Sequence, residues 1–119
     1  DDTLSDDYIE CLLSKVKEDS DVIVFNVMYD NFSIRKPVVY DMNLPGDSEG
    51  GDVFYRIPNH LMCFKLQVAR MVAYQDINFG EDAYWAKAIK PFIKTQSKID
   101  KVLYTYNDNH VTSESRKRK

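Results

Sequence analysis

Apolar positions near the start of the chain recur at helical spacing. Tyr8, Ile9, Leu12, Leu13 and Val16 fall at i, i+1, i+4, i+5 and i+8, which predicts one face of a helix ending near Glu18. Ser5, Asp6 and Asp7 precede it, a capping hydroxyl followed by first-turn carboxylates. At Asp21 the period changes. Val22-Ile23-Val24-Phe25-Asn26-Val27-Met28-Tyr29 is a continuous β-prone run, the pattern of a strand buried on both faces. After a turn at Asp30-Asn31, residues Phe32 to Asp41 read as a second extended segment. Pro37 interrupts it and has no N–H to donate, so it predicts an edge strand or an excursion. Asn43 to Asp52 (NLPGDSEGGD) holds three of the four glycines and reads as a loop. Beyond Arg56-Ile57-Pro58-Asn59-His60 lies an apolar stretch, ambiguous between strand and helix, which we read as a strand over Met62 to Val68. Glu81 and Asp82 then open a helix that Pro91 closes, and Ile99 to Tyr106 reads as a final strand.

The predicted order is helix, strand, strand, loop, strand, helix, strand. That is an α/β or α+β sheet, and an incomplete one. The 119 residues, 44% hydrophobic and 29% charged, suit one globular domain and exclude a disordered, collagen-like or disulfide-scaffold chain. No apolar run approaches the roughly 20 residues that span a bilayer. Asp1-Asp2-Thr3 resembles neither a signal peptide nor a natural start, and the chain reads as cut from something longer.

Charge changes the picture more than composition does. The net charge is −3, but Arg116-Lys117-Arg118-Lys119 carries four positive charges; without them 12 basic residues face 19 acidic ones, a balance of −7. An acidic body argues against nucleic acid as a partner, because such binding depends on neutralising phosphates. The tail, residues 113–119, reads as a frayed basic end that permits weak peripheral contact with an anionic membrane. Cys11 and Cys63 each lie among apolar residues, which suits reduced thiols and a cytoplasmic setting.

Candidate chemistry is sparse. Gly80-Glu81-Asp82 stands at a helix start, where carboxylates are stabilised by the helix dipole whatever else they do. An aspartate there can also act as a general base. Asp1 and Asp2 are adjacent acids leading into a helix, of a type that holds Mg²⁺ or Mn²⁺ beside substrate phosphates. His60 and His110 are the only histidines and form no zinc motif. No nucleophile elbow, P-loop or dinucleotide fingerprint occurs. Trp85, Tyr104 and Tyr106 read as core or half-core aromatics, or as surfaces for a sugar ring.

Taken in order, these pieces resemble the second half of a family 2-type glycosyltransferase with the GT-A fold. The resemblance lies in Asp1-Asp2-Thr3-Leu4-Ser5-Asp6-Asp7-Tyr8, in Asp21-Val22-Ile23-Val24-Phe25-Asn26, and best in Phe79-Gly80-Glu81-Asp82-Ala83-Tyr84-Trp85-Ala86. Lys101-Val102-Leu103-Tyr104-Thr105-Tyr106 and Ser113 complete it. It covers nearly the whole chain, and its specificity lies in the order and spacing of short motifs. It implies a partial GT-A mixed sheet with flanking helices over residues 1–112, the acceptor-side part, with the N-terminal nucleotide-binding half missing. It also implies sugar transfer from a nucleotide-diphosphate sugar to a hydroxyl of a glycan or lipid-linked acceptor, with Mn²⁺ or Mg²⁺ as cofactor. Under this resemblance Asp82 would be the base of an inverting displacement, with Glu81 its neighbour. Asp1, Asp2 and His110 would serve the metal, and His60 and Trp85 would line the acceptor side. Because the nucleoside-binding half is missing, this piece alone is expected to be inactive. The rival expectation is a non-catalytic binding module derived from such a half-domain.

Overall fold

The β-prone run after Asp21 forms the strand around which everything else is arranged. The computed structural model describes residues 2–31, 33–73 and 81–108, the side chain of Glu81 apart. Within them the chain runs β1 (Thr3–Leu4), α1 (Tyr8–Val16), β2 (Val22–Asp30), β3 (Arg35–Tyr40), β4 (Ser48–Glu49), β5 (Phe54–Arg56), β6 (Cys63–Phe64), α2 (Leu66–Ala69), α3 (Glu81–Ile89), a 3₁₀ turn (Lys90–Phe92) and β7 (Gln96–Asn107). The result is a mixed α/β domain: a mixed sheet with flanking helices. Strand order is β1-β7-β2-β3-β5-β4, and β6 takes the place beside Val22 and Ile23 that β3 does not reach.

β2 is central because it is apolar on both faces. Val22, Val24, Phe25 and Val27 are almost wholly buried, together with Leu103 of β7 and Ile89 of α3. The β2–β7 pair is parallel, and its register shifts on either side of Asn26, so β7 uses more residues than β2 to cover the same length. Such irregularities bend a strand and re-aim its side chains. They set Tyr104 opposite Val27 and Tyr106 opposite Tyr29.

Several elements differ from the sequence-based expectation. Pro37 lies inside the sheet, opposite Met28 in the β2–β3 pair, but β5 joins β3 only from Val38 onward. At position 37, β3 is therefore locally an edge, where a missing N–H costs no ladder bond. The strand expected over Met62 to Val68 is only Cys63–Phe64; beyond it Leu66–Ala69 turns helical, with Val68 N–H and Ala69 N–H both bonded to Lys65 C=O. Ser5 does not cap α1: its hydroxyl donates to Asp7 Oδ1 at 2.8 Å, and the helix starts at Tyr8. Nor is the whole α1 stripe buried. Leu12 is in the core and Tyr8 meets Phe25 edge-on, whereas Ile9, Leu13 and Val16 are more than half exposed. The helix ends as Asp19 takes a left-handed conformation (φ 54°), which aspartate tolerates.

Within the expected loop, Ser48–Glu49 pairs with β5. Gly50 N–H closes this hairpin on Val53 C=O at 2.8 Å, and a β-carbon at Gly50 would stand 3.2 Å from the Tyr55 ring. Among the described residues no helix is long and apolar enough to cross a membrane. The basic tail, Asp1, Gly80 and His110 lie outside them.

Candidate functional site

Residues two apart along a strand share a face, and one face of this sheet is unusually aromatic. Val27 and Tyr29 of β2, Val38 and Tyr40 of β3, Phe54 and Arg56 of β5 and Tyr106 of β7, with Leu61, line a cavity of about 420 Å³. Tyr29 is its hinge, meeting Phe54 edge-on at 5.7 Å between centroids and Tyr106 at 5.8 Å in a tilted arrangement. Its hydroxyl donates to Asp108 at 2.9 Å and accepts from Asn31 Nδ2 at 3.1 Å. Cavities of this size, mostly apolar with a few convergent polar groups, are typical small-molecule sites.

Two of the carboxylates singled out from the sequence have partners among the described residues. At the β1 edge, Asp2 accepts the Tyr104 hydroxyl on one oxygen and the Asn107 N–H at 3.0 Å on the other. Burial, and after it the bond to Asp2, holds the Tyr104 phenol well above its ordinary pKa, so it stays a donor. Tyr40 is buried and takes Asn59 Nδ2 on its hydroxyl at 3.4 Å. His60 follows, and its Nδ1 stands 3.6 Å from Asp82 Oδ1 at the start of α3, with the Asp82 side chain 57% exposed. The contacts thus form two separate groups, Asp2 with Tyr104 and Asn107, and Asp82 with His60, the neighbour in sequence of the Asn59 that meets Tyr40; of these residues Tyr40 lines the cavity.

The other residues singled out from the sequence fall as follows. Trp85 does not line an acceptor site: it is 5% exposed, its ring packs edge-on against Phe64 at 5.0 Å, and its indole N–H donates to Val72 C=O at 2.9 Å. It is a core residue with no face left for a sugar. His60 remains accessible beside Asp82. Asp1, His110 and the side chain of Glu81 lie outside the described residues. Tyr29, Tyr40, Phe54 and Arg56 were not singled out. Their alternation with Val27 and Val38 is written in the chain, but only the pairing register shows that the four segments share a face.

Comparison of the chain with family models, with curated proteins and with solved structures returns no match. The geometry must therefore carry the argument.

Among the described residues no three His, Cys, Asp or Glu side chains gather into a metal cluster. Asp2 nonetheless has the chemistry a hard cation needs. A carboxylate offers about four lone-pair positions, and Asp2 commits two to Tyr104 and Asn107. Such bonds also orient a carboxylate ligand.

Proposed function

We propose that this chain is the acceptor-side half of a GT-A-type glycosyltransferase, moving a sugar from a nucleotide-diphosphate sugar to an acceptor hydroxyl with inversion. The observation that carries the reading is the exposed Asp82 carboxylate beside His60, whose neighbour Asn59 meets Tyr40 of the aromatic cavity. On this reading Asp82 is the proton-accepting end of the site and Asp2 the charge-holding end.

Asp82 is exposed, in the first turn of α3 beside His60. It takes the proton from the acceptor hydroxyl as that oxygen bonds to the anomeric carbon and the sugar–phosphate bond breaks; the nucleoside diphosphate leaves with the electron pair. His60 acts as a positioning residue, holding the Asp82 carboxylate toward the acceptor. The face of Tyr29, Phe54 and Tyr106 orients the sugar and excludes water. A divalent cation, when bound, would neutralise charge on the diphosphate; Asp2 would hold it, with Asp1 and His110 as the other candidates.

In the whole protein, Asp82→Asn is expected to lower kcat by about 10²–10⁴-fold without weakening donor binding, measured as nucleoside diphosphate release with acceptor present. Turnover near that of the unaltered protein would refute the role. Donor binding without turnover in the unaltered protein would instead favour a non-catalytic module. Mn²⁺ with a nucleoside diphosphate should raise the Tm, because a ligand at about 100 times its Kd adds about 2.7 kcal/mol. Asp2→Asn should reduce that shift, and an unchanged shift would remove Asp2 from the metal set.

A further inference from the structure

The aromatic cavity has a charge of its own, opposite to that of the chain. Arg56 lines it, half-buried, with its guanidinium 5.1 Å from the centre of the Phe54 ring. Lys36 lies opposite Tyr29 in the β2–β3 pair, so it shares the same face, and its ammonium stands 4.5 Å over that same ring. Among the described residues neither cation is ion-paired with a carboxylate. Arg56 spends only Nη1 on the protein, donating to Ser48 C=O and Tyr55 C=O at 2.9 Å each. Among the described residues its Nη2 and Nε make no hydrogen bond. Among the described residues no Asp or Glu lines the cavity, in a chain whose acidic residues outnumber its basic ones by 19 to 16. Of the acids near it, Asp108 holds the Tyr29 hydroxyl, Asp47 accepts the Ile57 N–H at 3.0 Å, and Glu49 lies opposite Phe54 on the outer strand β4 without lining the cavity.

An aromatic corner offers flat faces to a ring, and a half-buried guanidinium without a carboxylate partner favours an anion that matches its fork. We infer that this cavity binds a sugar ring bearing an anionic substituent, a carboxylate or a phosphate, with the ring against Tyr29, Phe54 and Tyr106 and the charge at Arg56 and Lys36. The inference rests on the transferase reading in one respect only: it makes the acidic sugar the acceptor. Binding itself does not depend on transfer.

The test is therefore a binding experiment on the whole protein, by calorimetry or NMR titration, without donor. The probes are a methyl glucoside, a methyl glucuronide, glucose 6-phosphate and uridine monophosphate. At least one acidic sugar should bind about tenfold or more tightly than the neutral glucoside, the usual scale for a hydrogen bond to a charged group. The glucuronide and the 6-phosphate arms separate the two sources of charge. Arg56→Gln should erase that preference and Arg56→Lys restore part of it. Because Arg56 also ties β4 to β5 and its loss could disturb folding, Lys36→Gln is the second variant; its ammonium makes no hydrogen bond among the described residues, and its loss should cut the preference with Tm unchanged. Equal binding of charged and neutral sugars, no binding of any sugar, or tighter binding of the nucleotide would each overturn the inference. Acidic-sugar binding without any transferase activity would uphold the cavity and refute the transferase reading, so the two failures can be told apart.

Discussion

At the scale of single residues, burial decides between roles that the sequence leaves open. Trp85 and His60 both read as acceptor-side residues under the glycosyltransferase resemblance, yet one is sealed into the core and the other is accessible beside Asp82. Trp85→Ala is accordingly expected to cost about 3–5 kcal/mol of stability, as large-to-small changes in a core do, read as a drop in Tm. His60→Ala should leave Tm nearly unchanged while lowering kcat, and an unaltered kcat would remove it from the site. The carboxylate ends of the candidate site were legible because acids at a helix start and before a helix stand out locally. The aromatic cavity was not, since Tyr29, Tyr40, Phe54 and Tyr106 come from four strands. Each looks like an ordinary half-buried strand residue until the register aligns them.

At the scale of elements, what the sequence disclosed depended on whether an element is stabilised locally. β2 and α3 were legible because a long apolar run and an acid-opened, proline-closed segment are local signals. β1, β4 and β6, two residues each, exist only through their partners, and no periodicity can announce them. Pro37 misled for a related reason: whether a missing N–H matters depends on where β5 begins. The α1 stripe is one helical face by spacing, but its burial is split between Leu12 and the exposed Ile9, Leu13 and Val16. Leu12→Ala should therefore cost about 2–5 kcal/mol. Leu13→Lys, at a position 62% exposed, should stay within about 0.5 kcal/mol of the unaltered chain. Denaturant midpoints of the two variants would check the split directly, and equal losses would mean that the whole stripe is covered.

At the scale of the whole molecule, the pH dependence of stability converges on β7. Three carboxylates from different elements reach it: Asp7 before α1 to Lys101, Glu18 after α1 to Ser97 at 2.6 Å, and Asp41 after β3 to Gln96 at 2.9 Å and Lys98 at 3.1 Å. The bonds from Lys101 and Ser5 hold Asp7 down to about 2, and Glu18 is lowered by Ser97 and then Lys15. Burial works against the Asp41 carboxylate, but the Asn43 N–H, Gln96 and Lys98 outweigh it, so its pKa also falls. Groups with depressed pKa contribute stability that is complete above their unfolded values, near 4, and is lost as pH falls through the folded values. β7 also carries Tyr104 and Tyr106, both raised first by burial. Their contribution is complete below the unfolded phenol value, about 10, and is lost as pH rises through the higher folded one. Tm should thus form a plateau between about pH 5 and 9 with a fall on each side. Lys101→Met separates the acid limb into its parts. Above about pH 4 it should melt below the unaltered chain, and the gap should narrow as pH drops toward 2, where Asp7 is about half protonated in the unaltered chain. A gap that persists unchanged at pH 2 would mean that Lys101 acts by packing rather than by charge.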